Sequence, residues 1–400
     1  MSYLSSKLCH KAGRFPPPNQ ENTMAQMIAA RHARTRSSAQ ISLEMDSPTT
    51  NTSLGLELGW DHAHYGVTPP VEHLFAASPL RQGWLSGRAA FGQRTLKAGH
   101  HVRLWLKLRT HAWARGRAFD AVQVTPNYLQ QIAADWCPIT RIALDQHGDH
   151  GSQRSVDRVR NDAAYAAGNL AMMSRAANNA KHQHDWQSAS EVACSLGRGP
   201  LESIAGLGAP EWRRIATLCS YVTELAHAQA AALPMLVLPP NRLRLFNPIQ
   251  ALQALITRQL STPGWSQRLE CVEALLPGAT LQRDFNAFVL ALVPRLLQAG
   301  VQGQGHAMRW TLEDAWGTDL VLRRWTQFAQ GLSAAQAEQL VTRATEKALS
   351  PLRMQQHVGT EATAGWALER QGFQPSMEIL HSGARIDLRR APKRTPSLYH

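Results

Sequence analysis

Apolar residues recur with helical spacing over much of the chain, most clearly in its second half. Asn247-Pro248 begins one such pattern, whose apolar side carries Ile249, Leu252, Leu255, Ile256 and Leu260. A second runs from Leu281 to Leu296 and is interrupted at Pro294. Ser333-Ala-Ala-Gln336 is a capping box that starts a third helix, which should end at Ser350-Pro351.

The first half predicts shorter helices. Residues 101–115 contain no Pro or Gly and are composed of good helix formers. Thr125-Pro126 reads as an N-cap followed by Pro at the first helical position, and this helix should run to about Trp136. The pattern therefore indicates a mainly α protein, with short extended segments between residues 137 and 170.

Composition divides the chain into four parts. Residues 1–53 are rich in Ser, Thr, Pro and Arg and predict a disordered tail. Residues 54–195 form a basic helical region that includes a small ββα unit at 137–184, and residues 196–350 form a helical domain. Residues 351–400 are a C-terminal appendage, either a short α/β unit or a strand pair near 377–388, and end in a basic tail. The predicted fold class is mainly α with a small ββα unit, in a multi-domain α+β chain.

Charge points to an acidic polymer as partner. The formal net charge is +13 at pH 7, and the stretch from His73 to Phe119 contains no Asp or Glu. On the predicted helix, Arg103 and Lys107 lie on a face next to an apolar stripe, and Arg109 follows. Such a helix suits a phosphate backbone, so we expect nucleic acid as the partner. The alternative is a solvated basic face with tryptophans in the core.

Cysteine and hydropathy patterns exclude several classes. The five cysteines are an odd number, scattered, and never spaced C-x-x-C, which argues against a disulfide framework and a zinc knuckle. A reducing, cytoplasmic location fits this usage. The sequence contains no run of about 18 apolar residues, so no membrane span is predicted.

Candidate chemistry lies between residues 155 and 181. Asp157, Asn169 and Asn178 carry oxygen atoms that suit a hard divalent cation such as Mg²⁺, which keeps several waters and needs few protein ligands. A strand ending near Asp157 and a helix from about Asn169 to Lys181 would bring these side chains together, with Asn169 able to cap the helix. Arg175 and Lys181 would then reach phosphates.

These residues resemble a known motif. Cys137-Pro-Ile-Thr140, Ser155-Val-Asp-Arg-Val159, Tyr165-x-x-Gly168-Asn169 and Asn178-x-x-Lys181 are similar to a variant of the HNH (ββα-metal, His-Me finger) endonuclease motif. The resemblance covers residues 137–184. It implies metal ligands at Asp157 and Asn178, a loop-bracing role for Asn169, and a basic residue at Lys181 after the last ligand.

One departure concerns the base. The commoner motif has a histidine where this chain has Arg158, and an arginine is always protonated and cannot accept a proton from water, although it can clamp a phosphate. His147 or His150 is the expected base, with His182 and His184 as further candidates; each is otherwise a side chain without a role. The family often adds a structural zinc held by cysteines, which Cys137 alone cannot supply, so none is expected.

Four interpretations remain open. The first is a metal-dependent HNH-like endonuclease acting on DNA. The second is a nucleic-acid-binding protein that does not cleave, and the third is a basic helical interaction scaffold. In the fourth, the resemblance is coincidence, with Asp157 and Arg158 forming an ordinary ion pair while the asparagines cap turns.

Overall fold

A computed structural model of the chain describes residues 51–145, 151–300 and 306–349, with 354–355, 361, 363–375 and 398–399 nearer the C-terminal end. Most of the predicted tail, His147, His150 and the predicted strand pair at 377–388 lie outside the described residues. The described residues belong to one compact unit. The division at 195 and 350 stays a prediction.

The fold is mainly helical and contains a small antiparallel sheet. In chain order the helices are α1 (Asn51–His64), α2 (Pro79–Phe91), α3 (His100–Ala114), α4 (Pro126–Gln131), α5 (Arg175–Lys181), α6 (Trp186–Arg198), α7 (Ala209–Tyr221), α8 (His227–Ala231), α9 (Pro248–Leu260), α10 (Trp265–Glu273), α11 (Ala279–Gly300), α12 (His306–Trp316), α13 (Asp319–Gln330) and α14 (Ala334–Glu346). Strands β1 (Arg154–Arg158) and β2 (Leu170–Ser174) pair antiparallel. A pair of two-residue strands, β3 (Met354–Gln355) and β4 (Leu398–Tyr399), and two short 3-10 helices, Val71–His73 and Leu368–Arg370, complete the described elements.

The predicted helix starts are confirmed. Thr125 Oγ1 accepts a hydrogen bond from Tyr128 N at 3.2 Å and caps α4. Ser333 and Gln336 form the expected capping box of α14, and α9 begins at Pro248. Polar caps satisfy the first free N–H groups of a helix, so these short motifs determine where it begins.

The predicted helix ends are less accurate. α4 stops at Gln131 instead of Trp136, and α14 stops at Glu346. α11 continues through Pro294, where an interruption was expected. Its buried side chains Phe285 and Phe288 pack against α13, and this tertiary contact outweighs the loss of one backbone hydrogen bond at the proline.

Close packing of α1 on α2 positions α3. A Cβ atom on Gly59 or Gly83 would overlap the backbone of the facing helix, so only glycine allows the two helices to approach this far. Leu58, Leu80 and Leu106 then form a small core where the three helices meet. The opposite side of α3 remains available to the next part of the chain.

The segment 169–181 differs from the prediction of one helix. Leu170–Ser174 is a strand with every residue buried, and only Arg175–Lys181 is helical. A fully buried strand has apolar residues on both faces, so its sequence lacks the alternation that distinguishes a strand from a helix. Ser174 caps α5, with its Oγ accepting from Ala177 N at 3.2 Å, and Asn169 therefore does not. No helix among the described residues is long and apolar enough to cross a membrane.

Candidate nucleic-acid and metal site

A cleft of about 710 Å³ lies between α3 and the unit formed by β1, β2 and α5. Leu104, Lys107 and His111 of α3 line it, and so does Arg115, the C-cap residue that follows the helix. These positions are three or four residues apart, so they share one face of the helix. The whole of β1 forms the facing wall.

Asp157 and Asn178 both line this cleft. Residues 155 and 157 of β1 lie on one face of the strand, and residues 178 and 181 lie one turn apart on α5. Asn178 Nδ2 donates to Ser155 Oγ at 2.7 Å, and Lys181 Nζ lies 3.0 Å from Asp157 Oδ2. One hydrogen bond and one ion pair thus join α5 to β1. They bring the Asp157 carboxylate and the Asn178 carboxamide to the same cleft.

Asp157 is a buried acid beside a buried base. The Nζ–Oδ2 contact has the distance of an ion pair without the directed geometry of a hydrogen bond. Lys181 Nζ also donates to Arg158 O and Asn161 Oδ1, both at 3.0 Å, so three oxygens surround the ammonium. Burial raises the pKa of Asp157, and the ammonium of Lys181 opposes that rise.

Asn169 and Arg158 hold the loop between β1 and β2. The buried Asn169 amide accepts from Arg160 N at 2.8 Å and donates to Arg160 O and Ala164 O, each at 3.1 Å. Arg158 Nη1 donates to Asn161 O and Ala163 O at 2.9 and 2.8 Å. Both side chains therefore stabilise the loop, and Arg158 also lines the cleft.

The Cys137–Thr140 turn lies against the junction of β2 and α5. The buried Cys137 Sγ accepts from Thr140 N at 3.4 Å and from Ser174 N at 3.3 Å. The thiol therefore has a structural task in this turn. In the part of the chain that the structure describes, no group of three or more His, Cys, Asp or Glu side chains is arranged to hold a metal ion.

Two of the residues predicted to contact phosphate, Arg109 and Lys181, are buried and paired inside the protein. Arg109 is buried and pairs with Asp61 and with Glu57, the latter at 3.1 Å, and its guanidinium lies 4.4 Å from the centre of the Trp105 ring. Lys181 is fully buried in its oxygen cage. Both cations are used inside the protein, because carboxylates distant in sequence reach them.

The other predicted contacts remain accessible. Lys107 and Arg175 are exposed and line the cleft, whereas Arg103 is exposed on α3 outside it. The cleft walls add cations that were not predicted, namely Arg115, Arg117 and Arg154. Asp157, already paired with Lys181, is the carboxylate among the described lining residues. The cleft is therefore strongly positive.

The structure places only some of the candidate histidines at the cleft. His147 and His150 lie outside the described residues. His182 lines the cleft, whereas the His184 ring packs 5.0 Å from Trp212. His111 also lines the cleft and was missed, although its position four residues from both Lys107 and Arg115 could have indicated it.

A C-terminal segment braces the site from behind. Trp366 is fully buried, its indole Nε1 donates to Ala167 O at 3.1 Å, and its carbonyl accepts from Ala164 N at 2.7 Å. The Arg117 guanidinium lies 3.7 Å from the Phe373 ring centre. No local sequence pattern indicates these contacts, because they join segments far apart in the chain.

Comparison of the chain with protein-family models, with curated proteins and with solved structures found no match.

Proposed function

We propose that this protein binds nucleic acid, specifically DNA, in the basic cleft and hydrolyses a phosphodiester bond there, as an HNH-like endonuclease. The observation that supports this most is the joint presence of Asp157 and Asn178 in a cleft whose other charged lining residues are all cations. Lys107, Arg115 and Arg175 would bind the phosphate backbone and fix its position. The free thiols of Cys137, Cys194, Cys219 and Cys271 are consistent with a reducing cytoplasm.

Asp157 and Asn178 would hold the divalent cation. Asp157 Oδ2 is buried beside Lys181 Nζ at 3.0 Å and receives no hydrogen bond of directed geometry among the described residues, so a cation would share this oxygen with the ammonium. A carboxylate and an amide oxygen are the hard donors that Mg²⁺ prefers. When bound, such a cation would neutralise the charge that develops on the scissile phosphate. Asn169 and Arg158 would keep β1 and its loop in place around it.

A second candidate is a binding protein that does not cleave. The Asp157–Lys181 ion pair favours it, because the ammonium already neutralises the carboxylate that a cation would need. In this case the cleft would bind phosphates through its arginines and lysines alone. The two candidates predict the same DNA affinity and differ only in magnesium-dependent cleavage.

Two paired measurements separate the candidates. Binding is measured by fluorescence anisotropy of a labelled duplex over a range of salt, and cleavage by magnesium-dependent nicking of supercoiled plasmid. We expect Asp157→Asn and Asn178→Ala to abolish nicking while they leave duplex affinity within about threefold, and the exposed Asn127→Ala to behave like the parent. Thermal unfolding of each variant checks that it is folded.

Each outcome has a defined meaning. A parent protein that binds without nicking supports the second candidate and removes the first. Nicking by both variants at the parent rate contradicts the site assignment. A parent that neither binds nor nicks removes both candidates and leaves the interaction scaffold.

A further inference from the structure

We infer that His111, presented by α3 across the cleft from Asp157 and Asn178, is the general base of the proposed reaction. This assignment rests on the proposed function, because a base is needed only if the cleft hydrolyses phosphodiesters. His111 would supply the base that Arg158 cannot be. A guanidinium cannot accept a proton, and Arg158 donates hydrogen bonds to two loop carbonyls.

His111 faces the cleft from α3. His111 shares a face of α3 with Leu104, Lys107 and Arg115, and all four line the cleft. Its side chain is exposed, so water and substrate can reach it. Among the described residues, no hydrogen bond or ion pair engages its imidazole. A phosphate held by Lys107 and Arg115 would lie beside the ring.

The orientation of α3 is fixed from its other side. Arg109 precedes His111 by two residues, about 200° around the helix, and its ion pairs with Glu57 and Asp61 tie α3 to α1. Trp105 Nε1 donates to Val124 O at 2.8 Å and adds a second anchor. Arg109 is thus a positioning residue, which directs His111 toward the cleft.

The electrostatic environment suits a proton acceptor. Partial burial lowers the pKa of His111, and the positive charges of Arg115, Lys107 and His73 lower it further, whereas Glu72 has a smaller opposite effect. The charged and titratable residues on the facing wall are Arg154, Asp157, Arg158, Tyr165, Arg175 and His182. A lowered pKa keeps the imidazole neutral near pH 7, the form that can take a proton.

A neutral ring nitrogen of His111 accepts one proton from water as the water oxygen forms a bond to phosphorus. The bond from phosphorus to the leaving sugar oxygen breaks, and that oxygen keeps the electron pair and takes a proton from solvent. The imidazolium then releases its proton to solvent, which restores the neutral base.

The test compares His111→Gln with His101→Gln, a change on the same helix outside the cleft. We expect His111→Gln to lower kcat for nicking by about 10²–10⁴-fold, the usual range for a general base, with KM and duplex affinity changed less than about threefold. In the parent, kcat should fall as the pH drops through the His111 pKa, below about 6.5. His111→Gln should lack this acidic limb, and added imidazole should partly rescue His111→Ala.

Several results would overturn the inference. Parent-like nicking by His111→Gln, an acidic limb that persists in it, or an effect confined to KM each removes His111 as the base. If Asp157→Asn is inactive and His111→Gln is not, the proposed endonuclease survives and only the base is reassigned. If the parent itself never nicks, the endonuclease and its base fail together.

Discussion

The ammonium of Lys181 lies 3.0 Å from Oδ2 of Asp157, and both side chains are inside the protein, with 0% and 8% of their surfaces exposed. Removing two charges from water costs free energy, and their mutual attraction offsets that cost only while both charges are present. This pair joins α5 to β1 and fixes one of the two residues on which the proposed chemistry depends.

Lys181→Met should destabilise the protein by about 3–5 kcal/mol, because it leaves the Asp157 carboxylate buried without its cation. The double variant Lys181→Met with Asp157→Leu should regain part of this loss, since no charge remains to be buried. Urea denaturation of the parent, both single variants and the double variant gives the coupling energy. Additive effects would mean that the two side chains do not interact.

The stability of the parent should depend on pH through Asp157. Its pKa is raised in the folded state, so the folded protein binds this proton more tightly than the unfolded chain does. The contribution of Asp157 to the free energy of unfolding should therefore fall as pH rises from about 3.9, the ordinary value, to the raised folded value. Unfolding free energies of the parent and Asp157→Asn, measured across this range, should show their difference decreasing in the same direction. An increase with pH would contradict the raised pKa.

Gly168→Ala should cost about 1–3 kcal/mol, because Gly168 has φ +87° and an added Cβ would overlap the buried side chain of Arg244. The matched control is Gly151→Ala, whose Cβ would meet no atom of the residues that the structure describes within 4 Å. Thermal melts should show a lower Tm for the first variant and little change for the second. Equal melting temperatures would show that the loop accommodates a side chain at residue 168.

Lys107→Ala should reduce the salt dependence of duplex binding. A side chain that contacts one phosphate contributes about 0.9 to the slope of log K against log salt, so the slope should fall by about one. Lys97→Ala is the control, since Lys97 is exposed but does not line the cleft. Affinity measured at four or five salt concentrations gives both slopes, and identical slopes would place the bound strand elsewhere.

The thiols should divide by accessibility. Burial raises the pKa of Cys219 to about 12, and Cys137 is also buried, whereas Cys194 and Cys271 are exposed. A short iodoacetamide pulse at mildly alkaline pH should alkylate Cys194 and Cys271 in the folded protein, and Cys137 and Cys219 only after unfolding. Peptide mass mapping reads the four positions separately. Early alkylation of Cys219 would contradict its burial.

Local interactions made part of this fold predictable. Thr125 and Ser333 mark helix starts because a cap depends on neighbouring residues alone. Pro248 marks another because its fixed φ suits the first position of a helix. The helix at 101–115 was also predicted, because composition favours it over its whole length. These features need no knowledge of tertiary contacts.

Long-range contacts account for the failures. Arg109 was expected to face a phosphate, and Asp61, 48 residues earlier in the chain, pairs with it instead. Lys181 was expected at the surface and is enclosed by oxygens from β1 and its loop. Asp157 and Asn178 line one cleft, whose facing wall comes from α3, and no motif in the sequence links α3 to them.

The position of Trp366 has a consequence for synthesis. Its indole N–H donates a hydrogen bond to the carbonyl of Ala167, which lies 199 residues earlier in the β1–β2 loop. At translation rates of about 5–20 residues per second, roughly 10–40 s pass between the two events. A nascent chain on the ribosome would thus carry the β1–β2 loop without its brace for that interval, close to ribosomal RNA. The order of translation delays completion of the cleft until residue 366 has emerged.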